Sequence, residues 1–408
     1  MEYIHRALED KFLKMNSFFK VLLVTGARQV GKTTMLKQLA VNQQRTYISM
    51  DNTLARTLAQ RDPELFFQRY KPPILIDEIQ KAPELLEYIK LVCDESEATG
   101  QFWLTGSQKF NAMKNVRESL AGRVGILELY SLSKNEIEQV SFKDVGDFSM
   151  ESLLAKQGKV KPLNIIDVFQ YIWCGGMPYI LRADSDQRNE YFNSYIETYL
   201  LRDAAEQGGI VDAVKFRRFL VACAALIAEQ VNYKTLADAV EISQPTAKAW
   251  LQLLVGMDII YLLQPFASNE LKRLAKTPKL YFCDTGLAAY LSMWPTAETL
   301  MNGPANGHYF ENFVVMSLVK AFSYQSAKAG LCYYRDANAK EIDVVVEKDG
   351  FLHPLEIKKS ANPDRREVKK FSLLDKASLT RGNGGIVCMT NEILPIDELN
   401  CFIPCNLL

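Results

Sequence analysis

The first third of the chain alternates short apolar runs with longer stretches in which apolar residues recur every three or four positions. The runs predict buried strands, and the recurring spacing predicts amphipathic helices such as Ala82–Glu95. Strands that alternate with helices are typical of an α/β fold built on a doubly wound parallel sheet. The predicted strands are Val21–Thr25, Arg45–Asp51, Pro72–Asp77, Gln101–Ser107 and Val124–Leu129.

The middle of the chain shows a mostly helical pattern, from Ser131 to about Gln207, with a Gly-Gly-Met-Pro break inside Trp173–Pro178. Further on, Tyr233–Phe266 predicts a helix, a tight turn, a second helix and a strand over Ile259–Leu263. Ser243 suits the N-cap of the second helix and the proline that follows suits its first turn. We expect this helix to end near Gly256 and to bury Ala249, Leu251, Leu254 and Val255.

This helix-turn-helix with a following strand is typical of a winged-helix domain. In such domains that bind DNA, the second helix would present Gln244, Thr246 and Lys248 to a groove. The alternative is a module that packs against other protein surfaces. The basic tract Leu271–Lys279 favours contact with phosphate, without base specificity.

The last third combines a helical pattern, Gly307–Phe322, with a β-hairpin. Glu311 heads the apolar stripe of the helix and is expected to face inward. In the hairpin, Asp349-Gly350 predicts a two-residue turn. The resulting register sets Asp343 opposite Glu356, and Glu341 opposite Lys358. Two carboxylates that face each other across a ladder repel, so this register calls for a reason other than stability.

Composition limits the class of protein. A chain of 408 residues predicts two to four domains, and equal numbers of basic and acidic residues, 48 of each, restrict any nucleic-acid site to a local patch. The chain starts without a signal-peptide pattern, and its longest apolar run, Phe219–Ala228, has about half the length that spans a bilayer. The eight cysteines form no C-x-x-C pair, so we expect reduced thiols, a cytoplasmic location and no membrane partner.

The loop between the first strand and the first helix of the sheet, "GARQVGKT", fits G-x-x-x-x-G-K-[ST] without a mismatch. Its glycines let backbone N–H groups wrap a phosphate, Lys32 reaches the β- and γ-phosphates, and the hydroxyl of Thr33 is a ligand for Mg²⁺. We therefore predict an ATP site with Mg²⁺. The nucleotide contacts are expected from Gly26, Arg28, Gln29, Val30, Gly31, Lys32, Thr33, Thr34 and Ser107.

A second element of the predicted site is the strand that ends in Asp77-Glu78. Asp77 is placed to hold Mg²⁺ through water, and Glu78 to orient or deprotonate the attacking water. Together with the loop, these acids predict ATP hydrolysis. The competing interpretation, a solvated strand end, does not account for the loop.

These motifs resemble the AAA+ ATPases. "GARQVGKTT", "ILIDEIQ", "FWLTGS" and "ESLAGRV" resemble the Walker A, Walker B, sensor 1 and downstream arginine segments of one prokaryotic branch. The resemblance implies that Ser107 or Thr105 senses the γ-phosphate. It also makes Arg123 a candidate arginine finger, acting within the chain or across the interface of a homo-oligomer. A surface arginine at a helix end is the alternative.

The hairpin and the helix before it resemble the PD-(D/E)xK nuclease fold. The resemblance implies that Glu311, Asp343 and Glu356 hold Mg²⁺ or Mn²⁺, while Lys358 polarises the water or steadies the charged transition state. Ile342 stands where the motif has proline. The alternative is an exposed polar face on an edge hairpin.

Nearly the whole chain resembles a prokaryotic AAA+ family whose C-terminal half is a domain of unknown function with a nuclease-like core. We predict four domains. They are an AAA+ core (1–135), a helical lid or connector (136–210), a winged helix (211–275) and a nuclease-like α/β domain (276–408).

Three functional hypotheses remain. The leading one is a cytoplasmic ATPase that binds DNA and couples ATP turnover to a Mg²⁺- or Mn²⁺-dependent deoxyribonuclease-like domain. The second is an ATP-switched scaffold for protein partners, with an inactive nuclease fold. The third, a transcription regulator that uses the winged helix, leaves the C-terminal carboxylates unexplained.

Overall fold

A computed structural model describes residues 3–41, 43–106, 116, 119–142, 144–267, 277–325, 329–336 and 338–408. Internal contacts divide the chain into two compact units. The first comprises Met1–Leu132 with Gly256–Ile259, and the second comprises Ser133–Val255 with Ile260–Leu408.

The first unit contains a five-stranded parallel sheet in the order β2-β3-β4-β1-β5. Its strands are β1 Val21–Thr25, β2 Thr46–Ser49, β3 Ile74–Asp77, β4 Phe102–Gly106 and β5 Val124–Glu128. Strands β1, β3 and β4 are buried along their whole length, which explains their uninterrupted apolar sequences. The parallel α/β sheet predicted from the sequence is confirmed.

Helices surround this sheet: α1 Leu8–Asn16, α2 Lys32–Ala40, α3 Thr53–Arg61, α4 Pro63–Arg69 and α5 Leu85–Glu95, with a 3₁₀ turn at Ile79–Lys81. The side chain of Asn52 accepts a hydrogen bond from Ala55 N and begins α3. Asp62 caps α4 in the same way, with Pro63 at the first helical position. Apolar side chains of these helices and of the strands form one core that includes Phe66, Ile76 and Leu104.

The second unit begins with helices. They are α6 Lys134–Ile137, α7 Met150–Gln157, α8 Ile165–Cys174, α9 Ser185–Tyr195, α10 Leu201–Gly208, α11 Ala213–Ala225, α12 Tyr233–Val240 and α13 Gln244–Gly256, with a 3₁₀ turn at Pro178–Ile180 and a π-helical turn at Ile196–Leu200. The predicted Gly-Gly break ends α8. A Cβ on Gly175 would lie 2.8 Å from Gly286 N, so two backbones approach each other closely there.

The predicted helix-turn-helix lies at α12 and α13. Ser243 Oγ accepts a hydrogen bond from Thr246 N at 3.2 Å, as expected for an N-cap. Two antiparallel strands, β6 Ile260–Leu263 and β7 Lys279–Phe282, follow α13. Leu251 and Leu254 are buried, whereas Ala249 is exposed and Ala247 takes the predicted inward position. Most of the basic tract, residues 271–276, lies outside the described residues.

Three more helices lead to the C-terminal sheet, whose described strands run in the order β13-β14-β12-β10-β9-β8 with β11 beside β10. The helices are α14 Thr285–Leu291, α15 Ala297–Asn302 and α16 Asn306–Tyr324. The strands are β8 Gly330–Arg335, β9 Glu341–Lys348, β10 Phe351–Lys358, β11 Thr380–Arg381, β12 Gly384–Cys388, β13 Leu394–Pro395 and β14 Asn400–Pro404, with 3₁₀ helices at Arg365–Lys376 and Cys405–Leu407.

Strands β8, β9 and β10 are antiparallel neighbours, whereas β12 pairs with β10 and β14 in parallel. The 3₁₀ helix Arg365–Lys376 covers one face of this sheet. Val368 and Phe371 of that helix pack against Val345 and Leu352 of the hairpin. Among the described helices, none is both long enough and apolar enough to cross a membrane.

Candidate nucleotide site and carboxylate cleft

The phosphate-loop backbone adopts conformations that require glycine. Gly26 has φ +144°, and a Cβ on it would stand 2.1 Å from Leu129 O. Gly31 has φ +99° and immediately precedes α2. Both positions suit glycine because only glycine adopts such backbone angles without steric cost. The loop therefore directs the amino end of α2 toward the carboxyl edge of the sheet, where anions bind.

Lys32 is buried within this loop. Its Nζ donates hydrogen bonds to Gly26 O at 2.9 Å and to Ala27 O at 2.8 Å. Burial lowers the pKa of Lys32 to about 8, although the nearby carboxylate of Glu78 favours the charged form. The loop carbonyls thus hold the ammonium inside the loop that is predicted to bind phosphate.

Asp77 joins three segments at the carboxyl edge of the sheet. Its Oδ1 accepts hydrogen bonds from Thr33 Oγ1 and from Thr105 Oγ1, each at 2.6 Å. Its Oδ2 accepts one from Tyr47 OH at 3.3 Å. The predicted magnesium residues Thr33 and Asp77 therefore lie in direct contact. Their hydroxyl and carboxylate oxygens are the donor atoms that Mg²⁺ prefers.

Glu78 follows Asp77 with a left-handed backbone, φ 59° and ψ 49°. This conformation is uncommon for a residue other than glycine and redirects the chain directly after β3. Glu78 N donates to Thr105 Oγ1 at 3.0 Å, and the Glu78 carboxylate accepts a hydrogen bond from Gln80 Nε2. The backbone of Glu78 and the side chain of Thr105 are thereby tied to the same corner as Asp77.

The other predicted nucleotide residues vary in burial. Val30 is buried, Arg28 is half-buried, and Gln29 and Thr34 are exposed. Ser107, the second candidate for sensing the γ-phosphate, lies outside the described residues. Sequence reasoning missed Tyr47, whose contact with Asp77 depends on the pairing of β2 with β3.

Arg123 lies at the amino ends of the strands, whereas the phosphate loop lies at their carboxyl ends. It directly precedes β5, and its carbonyl accepts a hydrogen bond from Val21 N, at the start of β1. Because β1 and β5 are parallel, the loop that begins at Gly26 is at the far end of both strands. The Arg123 guanidinium donates to Asp94 Oδ1 at 2.6 Å, a contact that raises the pKa of Arg123. This placement argues against action on the nucleotide of its own chain.

The second candidate site centres on the hairpin of β9 and β10. Asp349 and Gly350 both have positive φ, 51° and 84°, as a two-residue hairpin turn of this type requires. The ladder pairs Leu355 with Val344, which are the immediate neighbours of Glu356 and Asp343. The register predicted from the sequence is confirmed as far as this pair.

Asp343 and Glu356 occupy the neighbouring positions of this ladder. Asp343 Oδ2 accepts a hydrogen bond from Ile357 N at 2.8 Å. Glu356 Oε1 accepts from Lys358 Nζ at 2.5 Å and from Lys370 Nζ at 2.6 Å. The pKa of Glu356 is raised to about 7. Burial is the largest cause, the neighbouring Asp343 carboxylate acts in the same direction, and the two lysines oppose the shift. The predicted acids and Lys358 thus lie together, and Lys370 joins them from the 3₁₀ helix.

An open cleft of about 670 Å³ lies over these groups. Within the described part of the chain, Glu356 Oε2 is buried there and has no hydrogen-bond partner. Five of the lining side chains are cationic and four are anionic. They are Lys340, Lys358, Arg366, Lys369 and Lys370, and Glu341, Asp343, Glu356 and Glu367.

Glu311 faces this region from α16 but is engaged elsewhere. Its Oε1 accepts hydrogen bonds from Lys279 Nζ at 2.8 Å and from Tyr281 OH at 2.7 Å. Burial raises the pKa of Glu311, and so does the nearby Asp343 carboxylate, whereas Lys279 opposes the shift. Over the described residues, no group of three His, Cys, Asp or Glu side chains is arranged to hold a metal ion. The three-carboxylate metal site stays a prediction.

Lys279 is the residue of this region that sequence reasoning missed. It also pairs with Glu341 Oε1 at 2.7 Å. In the sequence it closes the basic tract and carries no sign of burial. Its role depends on the meeting of β7 with α16 and β9, which local patterns do not reveal.

Three family models match separate parts of the chain. The AAA domain matches residues 18–138, and two domains of unknown function, DUF8612 and DUF4143, match residues 165–298 and 306–408. The first unit thus carries an AAA-type P-loop ATPase domain, which agrees with its sheet and its loop. Neither of the other two descriptions assigns a chemistry.

Relatives extend over most of the chain. The uncharacterized protein Rv2008c of Mycobacterium tuberculosis is 28% identical over 356 residues, 87% of this chain and 74% of that protein. The uncharacterized protein MJ1637 of Methanocaldococcus jannaschii is 22% identical over 351 residues, 79% of this chain and 73% of the other. Among solved structures, the Walker-type ATPase PABY2304 of Pyrococcus abyssi aligns with a TM-score of 0.46 at 16% identity. The alignment covers 72% of this chain and 97% of that one.

Proposed function

We propose that this protein hydrolyses ATP and couples its ATP cycle to the binding and metal-dependent cleavage of DNA. The proposal joins two sites in one chain. The first is the phosphate loop with its acidic corner, and the second is the carboxylate cleft of the hairpin. The observation that carries the DNA-cleaving half is the convergence of Asp343, Glu356 and Lys358 on that cleft.

In the first site, Lys32 would leave the loop carbonyls for the β- and γ-phosphates, while Thr33 and Asp77 would hold Mg²⁺. The ion would neutralise charge on the transferred phosphate. Glu78 would accept a proton from the attacking water. Thr105 links the backbone N–H of Glu78 to the carboxylate of Asp77 through its two hydrogen bonds. These contacts support hydrolysis as well as binding.

The order of elements in the second unit supports a nuclease-like core. Helix α16 precedes three antiparallel strands, then come the 3₁₀ helix Arg365–Lys376 and the parallel strand β12. The PD-(D/E)xK fold has this helix–three strands–helix–strand order, with its acids on the central hairpin. The hard oxygens of Asp343 and Glu356 suit Mg²⁺ or Mn²⁺, which would supply an activated water.

The α12–α13 pair, followed by the antiparallel strands β6 and β7, supports a winged helix. Gln244 and Lys248 are exposed on α13, as contact with DNA requires. Cationic residues around the cleft would attract phosphates at modest salt. We infer DNA as the polymer from this combination of a winged helix and a nuclease-like cleft.

Cleavage of supercoiled and forked DNA in Mg²⁺ or Mn²⁺ tests the proposal. Wild-type protein should cut, and Lys358→Ala should abolish cutting while ATP turnover stays unchanged. Glu78→Gln should lower ATP turnover by about 100-fold or more without loss of ATP binding. Lys376→Ala, an exposed lysine at the end of the same 3₁₀ helix, is the matched control and should cut normally.

Failure of any nucleic acid to bind at physiological salt or to change ATP turnover would contradict the DNA half. ATP hydrolysis would then stand alone. Cutting that persists in Lys358→Ala would point to a contaminating nuclease.

One observation favours a second function, an ATP-switched scaffold with an inactive nuclease fold. Glu311 and Glu356 each already have lysine partners, as in a cluster held for stability. In that case Glu78→Gln would retain a protein partner in the presence of ATP, and the cleft would bind no Mn²⁺. Calorimetric titration with Mn²⁺ separates the two functions.

A further inference from the structure

Lys279 is a buried cation surrounded by acids. Only 4% of the residue is exposed. Its Nζ lies 2.8 Å from Glu311 Oε1 and 2.7 Å from Glu341 Oε1. An ammonium in such surroundings is stable only if nearby anions and hydrogen bonds replace its water.

The acids outweigh the effect of burial on this lysine. Burial alone would lower the pKa of Lys279, but the carboxylates of Glu311, Asp343 and Glu341 together raise it well above its ordinary value. Lys279 thus lies among three carboxylates and is in direct contact with two of them. Its electrostatic role toward Glu311 and Asp343 is that of a metal ion in a carboxylate site.

Glu311 belongs to a seam between α16 and β7. Lys279 and Tyr281, two residues apart on β7, both donate to Glu311 Oε1. The next residue of α16, Asn312, donates to Phe282 O at 2.9 Å and accepts from Phe282 N at 2.7 Å. The carboxylate of Glu311 is thus one of several groups that hold the helix to the strand.

Glu356 differs from Glu311 in one respect. Glu356 is fully buried, and Lys358 and Lys370 both contact its Oε1. Its Oε2 has no hydrogen-bond partner among the described residues. An unsatisfied buried carboxylate oxygen costs free energy unless a proton or a cation meets it. The atom that is available to bind a cation is therefore Glu356 Oε2, on the hairpin.

The geometry points to Lys279 as a built-in cation that replaces a metal at the Glu311 end, so that a divalent ion in the cleft is held by Asp343 and Glu356 without Glu311. This inference rests on the proposed metal-dependent function. It narrows the ligand set of that site and gives Glu311 a positioning role.

Calorimetric titration of the full chain with Mn²⁺ alone tests the ligand set. Asp343→Asn should weaken Mn²⁺ binding by at least about tenfold, and Glu311→Gln by no more than about twofold. Lys279→Met should strengthen it by about tenfold, because a neighbouring positive charge is lost. If Glu311→Gln weakens binding as much as Asp343→Asn, Glu311 is a ligand. The inference is then wrong while the proposed metal site stands.

A second measurement tests the interaction of Lys279 with Glu311 in the absence of metal. Urea unfolding in a chelator, for wild type, Lys279→Met, Glu311→Gln and the double variant, gives the coupling of the two side chains. We expect a coupling of about tenfold or more in the unfolding constant, and one below about twofold overturns the inference. Absence of Mn²⁺ binding in every variant, wild type included, would end the proposed metal function and overturn the inferred ligand set with it. If Lys279→Met does not fold, the Glu311→Gln titration decides it.

Discussion

At the scale of single residues, steric space decides what the phosphate loop tolerates. Gly26→Ala would place a methyl group 2.1 Å from Leu129 O at φ +144°, so the loop or the segment directly after β5 must shift. We expect a loss of about 2 kcal/mol or more in unfolding free energy. Nucleotide affinity should fall at least about tenfold, since the loop carries the phosphate contacts. Urea unfolding and titration with a fluorescent ADP analogue measure the two effects.

The control for this variant is Gly158→Ala. Gly158 has a helical backbone, and a Cβ there would meet no atom within 4 Å. Its unfolding free energy should change by less than about 0.5 kcal/mol. If the two variants change the unfolding free energy by the same amount, the close approach at Gly26 is relieved without loss of stability.

Lys156 gives a pH-dependent prediction at the same scale. Its Nζ donates to Asp147 O at 2.9 Å, and burial lowers its pKa to about 8 despite the carboxylates of Asp147 and Asp144. Lys348, which is bound to Asp144, contributes to this lowering of the pKa. Because the unfolded chain keeps the ordinary value of 10.5, the unfolded state binds more protons between about pH 8 and pH 10.5. The free energy of unfolding therefore increases as the pH rises through that window, and this increase is lost as the pH falls to 8.

Lys156→Met removes this titration. The unfolding free energy of the wild type should rise relative to the variant by on the order of 2 kcal/mol from pH 8 to pH 10.5. Urea unfolding of both proteins at the two ends of the window measures the change. Parallel pH profiles would contradict the lowered pKa.

At the scale of elements, Asn312 joins α16 to β7. It is fully buried, and its amide satisfies both the N–H and the C=O of Phe282. Asn312→Ala leaves two buried backbone groups unpaired, which should cost about 2–4 kcal/mol. Ser317→Ala on the same helix removes only a bond to Phe313 O and should cost less than about 1 kcal/mol. Urea unfolding compares the two, and similar losses would mean that water replaces the amide.

Local signals were sufficient to predict several elements. The phosphate loop, the strand ending at Asp77 and the Asp349-Gly350 turn each depend on residues close together in the chain, and the structure has them at the predicted positions. The sequence predicts helix α13 with its capping Ser243, but the prediction that Ala249 faces inward is wrong. Positions 247, 251 and 254 keep the helical spacing, whereas 249 and 251 lie on different faces.

Other features of the candidate sites could not be predicted, because they depend on tertiary contacts. Lys279 meets Glu311 across 32 residues, and Tyr47 meets Asp77 across 30. No periodicity links such positions. A polar residue in a strand looks the same in sequence whether its partner is water or a buried acid. The sequence predicts the pairing of carboxylates across the hairpin and the place of Lys358 beside them. It does not predict that Lys279 and Lys370, from other elements, contact these acids.

At the scale of the whole molecule, Arg123 bears on assembly. It lies beside the start of β1 and pairs with Asp94, so it is at the far edge of the sheet from its own phosphate loop. If Arg123 stabilises the transition state, it must do so at the nucleotide of another copy. We therefore expect ATP turnover per chain to rise with protein concentration as copies associate.

Mixing two inactive variants tests this arrangement. Lys32→Ala lacks the phosphate lysine but keeps Arg123, whereas Arg123→Ala keeps an intact phosphate loop. Each alone should turn over ATP at least about 100-fold more slowly than wild type, and Arg123→Ala should still bind ATP normally. In mixed assemblies the intact arginine of one copy meets the intact loop of another, so turnover should recover to a measurable fraction. Asp94→Ala, which frees the arginine without removing it, should stay active. Arg123→Ala with wild-type turnover would reduce Arg123 to a surface partner of Asp94.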